Sequence, residues 1–430
     1  MQSQSIQAIK PARTIRGTVR MPGDKSVSHR YAMLGAIAEG NTRLENFATG
    51  ADCGSTLTCL EALGVSVTRG EQHTVSIVGH GPQLSAPREA LECRNSGSTM
   101  RMLAGIVAAQ PFTSELMGDE SLSRRPMKRV IEPLTAMGAD IRATDGRAPL
   151  SVRGGELRGI EYRLPVASAQ VKTSLLFAGW LATGTTVIEE PFRTRDHGEI
   201  ALRAFGAQVQ RSRNRASIAG GQRLHAIDAF VPGDISSAAF FISAASLFAD
   251  ADLIIEAVLL NPTRAALLDV FAAMGARISV STVEEHYGEL IGTIQVSGGK
   301  LKGAKISGGI SASLIDELPV LAAIAPYTSE GIEIRDASEL RVKESDRIAT
   351  VARNLRTMGA QVEEREDGLK VPGQQQLHGA EVDSAGDHRI AMAFAVAALR
   401  ASGETVINGA DAARISYPEF FTTLESVVQR

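Results

Sequence analysis

A chain of 430 residues, 44% of them apolar, has material for two or three packed domains. A net charge of −3 and an aromatic content of 4%, with a single tryptophan, argue against a nucleic-acid-coating surface or a platform for stacked bases. No run of about 18 apolar residues offers a membrane span. Cys53, Cys59 and Cys93 lack the spacing of a disulfide framework or structural zinc site, and Met1 to Ile15 carries no export or import signal. The expectation is a cytoplasmic protein with no membrane or nucleic-acid partner.

In chain order, the first informative stretch is Pro22-Gly23-Asp24-Lys25-Ser26-Val27-Ser28-His29-Arg30, a turn with cations and hydroxyls ahead of the apolar run Tyr31–Ala38. A helix starting here leaves its first N–H groups unpaired at the positive end of its dipole, and Lys25 and Arg30 add full charges. That combination predicts an anion pocket.

A pattern then recurs: a helix ended by glycine, followed at once by a β-branched strand. Its glycines, Gly64, Gly138, Gly206, Gly275 and Gly359, lie 74, 68, 69 and 84 residues apart. A final helix is expected over Pro418–Val428. Between them, six small or polar loops near Gly23, Arg94, Ala167, Gly233, Gly309 and Gly386 each lead into an Ala-rich helix. Those helices are apolar all round and are expected to be buried, whereas Ile348, Val351, Ala352, Leu355 and Met358 mark a one-sided outer helix. Pro22-Gly23-Asp24 returns as Pro232-Gly233-Asp234, 210 residues on. Six copies of one supersecondary unit, three per domain, are therefore predicted in an α/β chain with short junctions near Arg16–Arg20 and Phe230–Gly233.

The loops carry the chemistry. Arg94–Arg101 centres on Gly97, where a ligand can approach the backbone closely. Asp119–Met127 brings Arg124 and Arg125 to a proline that begins a helix, and a guanidinium fork suits carboxylate or phosphate. Ser168–Ser174 supplies short donors, including Gln170, and Arg193–His197 is a charged loop with Arg195. Asp316 and Glu317 lie in an apolar neighbourhood, where a carboxylate can act as a base near neutrality. Arg341–Arg347 holds five charges in seven residues; if helical, it would place Lys343 and Arg347 on one side with Glu344 beside them. Gly386-Asp387-His388-Arg389 repeats the opening pattern. Neither His29 nor His388 has metal-ligand spacing, and both are expected to cap or support. Taken singly, each stretch is also compatible with a plain cap or a solvated charge cluster. Together they predict a two-domain enzyme or binder for a polyanionic small molecule, with Lys, Asp and Glu available for proton transfer.

The runs Gly23–Arg30, Asn95–Arg101, Arg125–Met127, Arg341–Arg347 and Asp387–Met392, in this order, resemble those of the 5-enolpyruvylshikimate-3-phosphate synthase family. The resemblance implies a two-domain inside-out α/β barrel of six βαβαββ units. It places residues 1–20 and 232–430 in one discontinuous domain and 21–231 in an inserted one. It implies transfer of the enolpyruvyl group of phosphoenolpyruvate to the 5-hydroxyl of shikimate 3-phosphate, with no metal or organic cofactor, by a monomer that closes its domains over both substrates. Lys25 would touch both. Ser26, Arg30, Ser168, Gln170, Arg195, Asp316 and Lys343 would hold shikimate 3-phosphate. Gly97, Arg125, Gln170, Arg347 and Arg389 would hold phosphoenolpyruvate. Asp316 would accept the hydroxyl proton, with Glu344 and Lys25 serving the methylene carbon and the leaving phosphate.

Three departures accompany the resemblance. Ala169 stands where one branch of the family has a hydroxyl, Ile415 where some members have a lysine (Arg414 is adjacent), and Ser98-Thr99 where many have Thr-Ala. The sister family that acts on UDP-N-acetylglucosamine usually carries a loop cysteine and a Lys-Asn pair. Here Arg125 lies in the corresponding loop, with no cysteine, and Lys25 is followed by Ser26. A non-catalytic binder of phosphorylated metabolites would keep its affinity when Asp316 or Glu344 is neutralised; an enzyme would lose turnover.

Overall fold

The computed structural model describes residues 5–430. Two compact units emerge: Met1–Pro22 with Gly233–Glu284 and Leu290–Arg430, and Gly23–Pro232 with Glu285–Glu289.

Among the described residues each unit is built from three sheets, and one plan recurs in all six. A parallel pair of strands is extended by antiparallel ones. In the Gly23–Pro232 unit the parallel pairs are Asp228–Phe230 with Glu39–Glu45, Leu91–Glu92 with Thr113–Met117, and Glu161–Arg163 with Thr185–Glu189. The last two are crossover connections through a helix, as parallel neighbours require. In the other unit they are Thr14–Arg20 with Asp252–Leu259, Gly303–Ile306 with Gly331–Ile334, and Glu381–Asp383 with Thr405–Asn408.

The Ala-rich helices lie inside these sheets. Helices α1 (Lys25–Ile37) and α3 (Gly97–Val107) are the first two, with the one-sided α2 (Ala51–Ala62) between them in the chain, and α1 is buried from Val27 to Ile37. The Ala169–Leu181, Ile235–Ser246 and His388–Ala398 helices are enclosed as completely. Small residues allow this packing: a Cβ at Gly105 of α3 would stand 2.2 Å from the Ser174 carbonyl oxygen of the neighbouring helix. In the Met1–Pro22 unit the core adds an aromatic cluster, where Phe240, Phe241 and Tyr417 surround Phe420 with ring centres 5.7–5.9 Å away.

All five periodic glycines adopt positive φ, from 85° at Gly64 to 117° at Gly138, and turn each helix into its strand. Two expectations need correction. The helix expected to begin near Gly309 is split into Gly309–Ser313 and Leu318–Ile324, with Asp316 in the break. Lys343 and Arg347 do not share a helix face. Lys343 is extended after the 3-10 turn Ser338–Val342, and Arg347 opens the Arg347–Thr357 helix behind Asp346, which accepts the Ala349 N–H. Asp346, an efficient cap, sets that boundary.

Candidate active site

In the Gly23–Pro232 unit, α1 begins where Asp24 accepts the Val27 N–H at 2.9 Å, so the helix start is capped and Lys25 is its first residue. Lys25 pairs with Asp52 in the first turn of α2. Arg30, one turn on, is buried. It donates from Nη1 to the Ser26 carbonyl at 2.8 Å and from Nη2 to Thr173 Oγ1 at 2.9 Å. Burial lowers the Arg30 pKa to about 10, nearby Arg195 adds to that, and Glu199 and Asp24 oppose it. Arg30 is thus a desolvated cation at neutral pH.

Gly97 opens α3 behind the Ser96 cap, and two guanidinium groups flank it. A Cβ built there would lie 2.8 Å from Arg101 Nη1 and 3.4 Å from Arg125 Nη1. Arg125, also buried, donates to Asn95 Oδ1 at 2.9 Å. Ser168 caps the Ala169–Leu181 helix. Gln170, in its first turn, accepts from Arg101 Nη1 at 2.8 Å and donates to Ser98 Oγ at 2.9 Å. Lys25, Ser26, Arg30, Gly97, Arg125, Ser168 and Gln170 thus all sit in or beside the starts of three buried helices of one unit, with Arg195 close enough to act on Arg30. Helix N-termini plus guanidinium and ammonium groups form a place for multiply charged anions.

In the other unit the remaining candidates gather on Arg347. Its guanidinium is buried; it donates from Nε to Asp387 Oδ2 at 2.8 Å and from Nη2 to Glu344 Oε2 at 2.6 Å. Asp316 stands 3.5 Å from Arg347 Nη1 and 3.9 Å from Arg389 Nε. Burial alone would lower the Arg347 pKa, but Asp387 and Glu344 more than offset it and hold the group above its ordinary value. Lys343 is displaced the other way, lowered by burial first, with Asp316 opposing. Three carboxylates and three cations therefore share one cluster. Such an arrangement can bind an anion through its cations and move protons through Asp316 or Glu344.

Several partners escaped the reading of the sequence. Asp52, Thr173 and Asp387 were not linked to Lys25, Arg30 and Arg347, because each pairing is made by tertiary packing. Arg101 could have been found: it lies one helical turn beyond Gly97, where a side chain can reach back over the N-terminus. Arg414, left open, is exposed at the end of the 3-10 turn Ala410–Ile415. Among the described residues no cluster of three His, Cys, Asp or Glu could hold a metal ion, and no helix is long and apolar enough to cross a membrane.

The family model described as EPSP synthase (3-phosphoshikimate 1-carboxyvinyltransferase) matches residues 9–424. A relative from Koribacter versatilis, named 3-phosphoshikimate 1-carboxyvinyltransferase, is 63% identical over 422 residues, covering 98% of this chain and 99% of its own. One of the same name from Solibacter usitatus is 56% identical, with the same coverage. Among solved structures, an EPSP synthase from Acinetobacter baumannii superposes with a TM-score of 0.89 at 41% identity, covering 99% of this chain and 98% of that one.

Proposed function

The chain belongs to the EPSP synthase family, and from that premise we propose that it transfers the enolpyruvyl group of phosphoenolpyruvate to the 5-hydroxyl of shikimate 3-phosphate, releasing phosphate. The observation that carries this reading is the family match over residues 9–424.

In this reading Lys25, Ser26, Arg30, Ser168, Gln170, Arg195, Asp316 and Lys343 hold shikimate 3-phosphate. Lys25, Gly97, Arg125, Gln170, Arg347 and Arg389 hold phosphoenolpyruvate. Support comes from the cationic helix starts of one unit and from the carboxylates and cations gathered on Arg347 in the other. A vinyl carbon resists direct displacement, so the chemistry is addition followed by elimination. Asp316 takes the proton of the 5-hydroxyl as its oxygen bonds to C2, while Glu344, with Lys25, delivers a proton to the methylene carbon. Glu344, now a carboxylate, takes back a proton of the methyl group as the bond between C2 and the phosphate oxygen breaks, which releases phosphate and restores the double bond. Arginines fixed by ion pairs before substrate arrives favour this course, because they need little reorganisation as charge moves.

The two compact units support a division into a discontinuous domain, 1–20 with 232–430, around an inserted domain, 21–231. The enzyme is taken to be monomeric, cytoplasmic and independent of metal or organic cofactor; gel filtration and activity after exhaustive chelation test the first and last of these.

The direct experiment measures phosphate release from phosphoenolpyruvate with shikimate 3-phosphate as acceptor. Release that depends on both substrates, and is abolished in Asp316→Asn and Glu344→Gln proteins that still bind shikimate 3-phosphate, is the expected result. No release, together with activity toward UDP-N-acetylglucosamine, would overturn the assignment.

A further inference from the structure

A chain of buried hydroxyls runs through the Gly23–Pro232 unit. His29 Nδ1 lies 2.7 Å from Thr56 Oγ1, and Thr56 Oγ1 lies 2.7 Å from Thr99 Oγ1. Thr99 Oγ1 in turn donates to Ser96 Oγ at 2.8 Å, and the Thr99 N–H reaches the same oxygen at 3.2 Å. All four side chains are fully buried.

The order of donors follows from what His29 lacks. Its Nε2 is buried without a hydrogen-bond partner. A proton there would be an orphaned donor, which costs more than an unused lone pair. The proton therefore belongs on Nδ1, and every link then points one way: His29 to Thr56, Thr56 to Thr99, Thr99 to Ser96.

The ends of this chain give it meaning. His29 is one turn from Lys25 and adjacent to Arg30 on α1. Ser96 is the N-cap of α3, adjacent to Gly97. Thr56 lies one turn beyond Asp52 on α2, whose carboxylate pairs with Lys25. So α2 is a crosspiece bonded to the starts of both helices.

We propose that the His29–Thr56–Thr99–Ser96 chain is a positioning device that sets the N-terminus of α3 relative to Lys25, and thereby the affinity for phosphoenolpyruvate. The inference rests on the functional reading above, in which Gly97 and Lys25 contact that substrate. Binding groups must be held to a fraction of an ångström, since a shift of about 1 Å can cost about a hundredfold in rate. A directional run of hydrogen bonds between three helices supplies such a constraint, where apolar packing alone would tolerate sliding.

Thr56→Val tests this, because it removes the first two of the three links while keeping the side chain's shape. KM is measured for each substrate separately, with Thr56→Ser as the variant that retains the hydroxyl. The expected result is a rise of about tenfold in KM for phosphoenolpyruvate, a change within about twofold for shikimate 3-phosphate, and recovery of both in Thr56→Ser. A purely structural role would lower thermal stability without dividing the two KM values. A folded Thr56→Val protein with parental KM for phosphoenolpyruvate overturns the proposal. If Thr56→Val does not fold, Thr99→Ala breaks the same run and is read by the same criterion. If the unsubstituted protein releases no phosphate from phosphoenolpyruvate, the functional reading falls instead. Calorimetric titration with phosphoenolpyruvate then decides the positioning role, a tenfold weaker fit in Thr56→Val supporting it and equal binding refuting it.

Discussion

Arg347 donates from Nε to Asp387 at 2.8 Å, with the guanidinium 1% and the carboxylate 0% exposed. The same Asp387 accepts the Arg389 N–H at 2.9 Å as the cap of the next helix. One carboxylate thus fixes the charge of one candidate anion-binding residue and the backbone of another. Asp387→Asn preserves the shape and removes the charge. Breaking a buried pair from one side costs about 3 kcal/mol, so a loss of that size is expected in urea unfolding. A loss below about 1 kcal/mol would show that Glu344 and Asp316 suffice to hold Arg347.

Two glycines of α3 should respond oppositely to alanine. At Gly97 the new methyl meets the guanidinium ends of Arg101 and Arg125, side-chain tips that can shift where a backbone could not, so the protein folds but its site is crowded. The expected outcome is a thermal midpoint within a few degrees of the parent's and a rise of about tenfold in KM for phosphoenolpyruvate. At Gly105 the methyl meets the Ser174 carbonyl, which belongs to a buried helix and cannot yield. Gly105→Ala should lose about 1–3 kcal/mol of stability by overpacking. Equal behaviour of the two variants would contradict this account.

Burial first, then the charges of Lys25 and Arg30, hold His29 well below its ordinary pKa of 6.5. Between the two values the unfolded chain binds the proton and the folded chain does not, so stability rises with pH there. The contribution is intact above about pH 6.5 and declines as pH falls from that point toward the folded pKa. Between pH 7 and 5 the parent should lose more stability than His29→Asn, as read from urea midpoints. Parallel curves would mean that His29 titrates normally.

Lys172 is 0% exposed, with Nζ 2.8 Å from Glu190 Oε2 and 2.9 Å from Glu199 Oε1. Lys172→Met would strand two buried carboxylates and should cost about 3–5 kcal/mol, measured by denaturant unfolding. Adding Glu199→Gln should restore part of that loss. If the double variant is less stable than the single one, the lysine is not the partner that both glutamates need.

The repetition of the fold was legible because it is written in local chemistry. The turn from helix to strand requires positive φ, and Gly64, Gly138, Gly206, Gly275 and Gly359 mark it without help from distant residues. The buried helices were legible from their all-round apolar character. The split between Ser313 and Leu318 was not, since no glycine or proline marks a stop after Gly309 before Pro319, which opens the first turn of a new helix. The Lys343–Arg347 spacing misled for a related reason: equal spacing on paper assumes a helix that the Asp346 cap begins one residue before Arg347. In the candidate site the cations were visible, but their carboxylate partners were not. Asp52 and Asp387 are ordinary helix-start acids until the fold brings Lys25 and Arg347 to them.

The Thr14–Arg20 strand pairs in parallel with Asp252–Leu259 and, antiparallel, with Val428–Gln429. During synthesis it therefore leaves the ribosome long before either neighbour exists. At about 5–20 residues per second, the roughly 230 residues to its first partner take some 10–50 s. Nearly all of the Gly23–Pro232 unit is translated in that interval and has time to form its three sheets. The early strand, meanwhile, waits unpaired for a neighbour, and its half of the protein can be finished only after Val428–Gln429 has emerged.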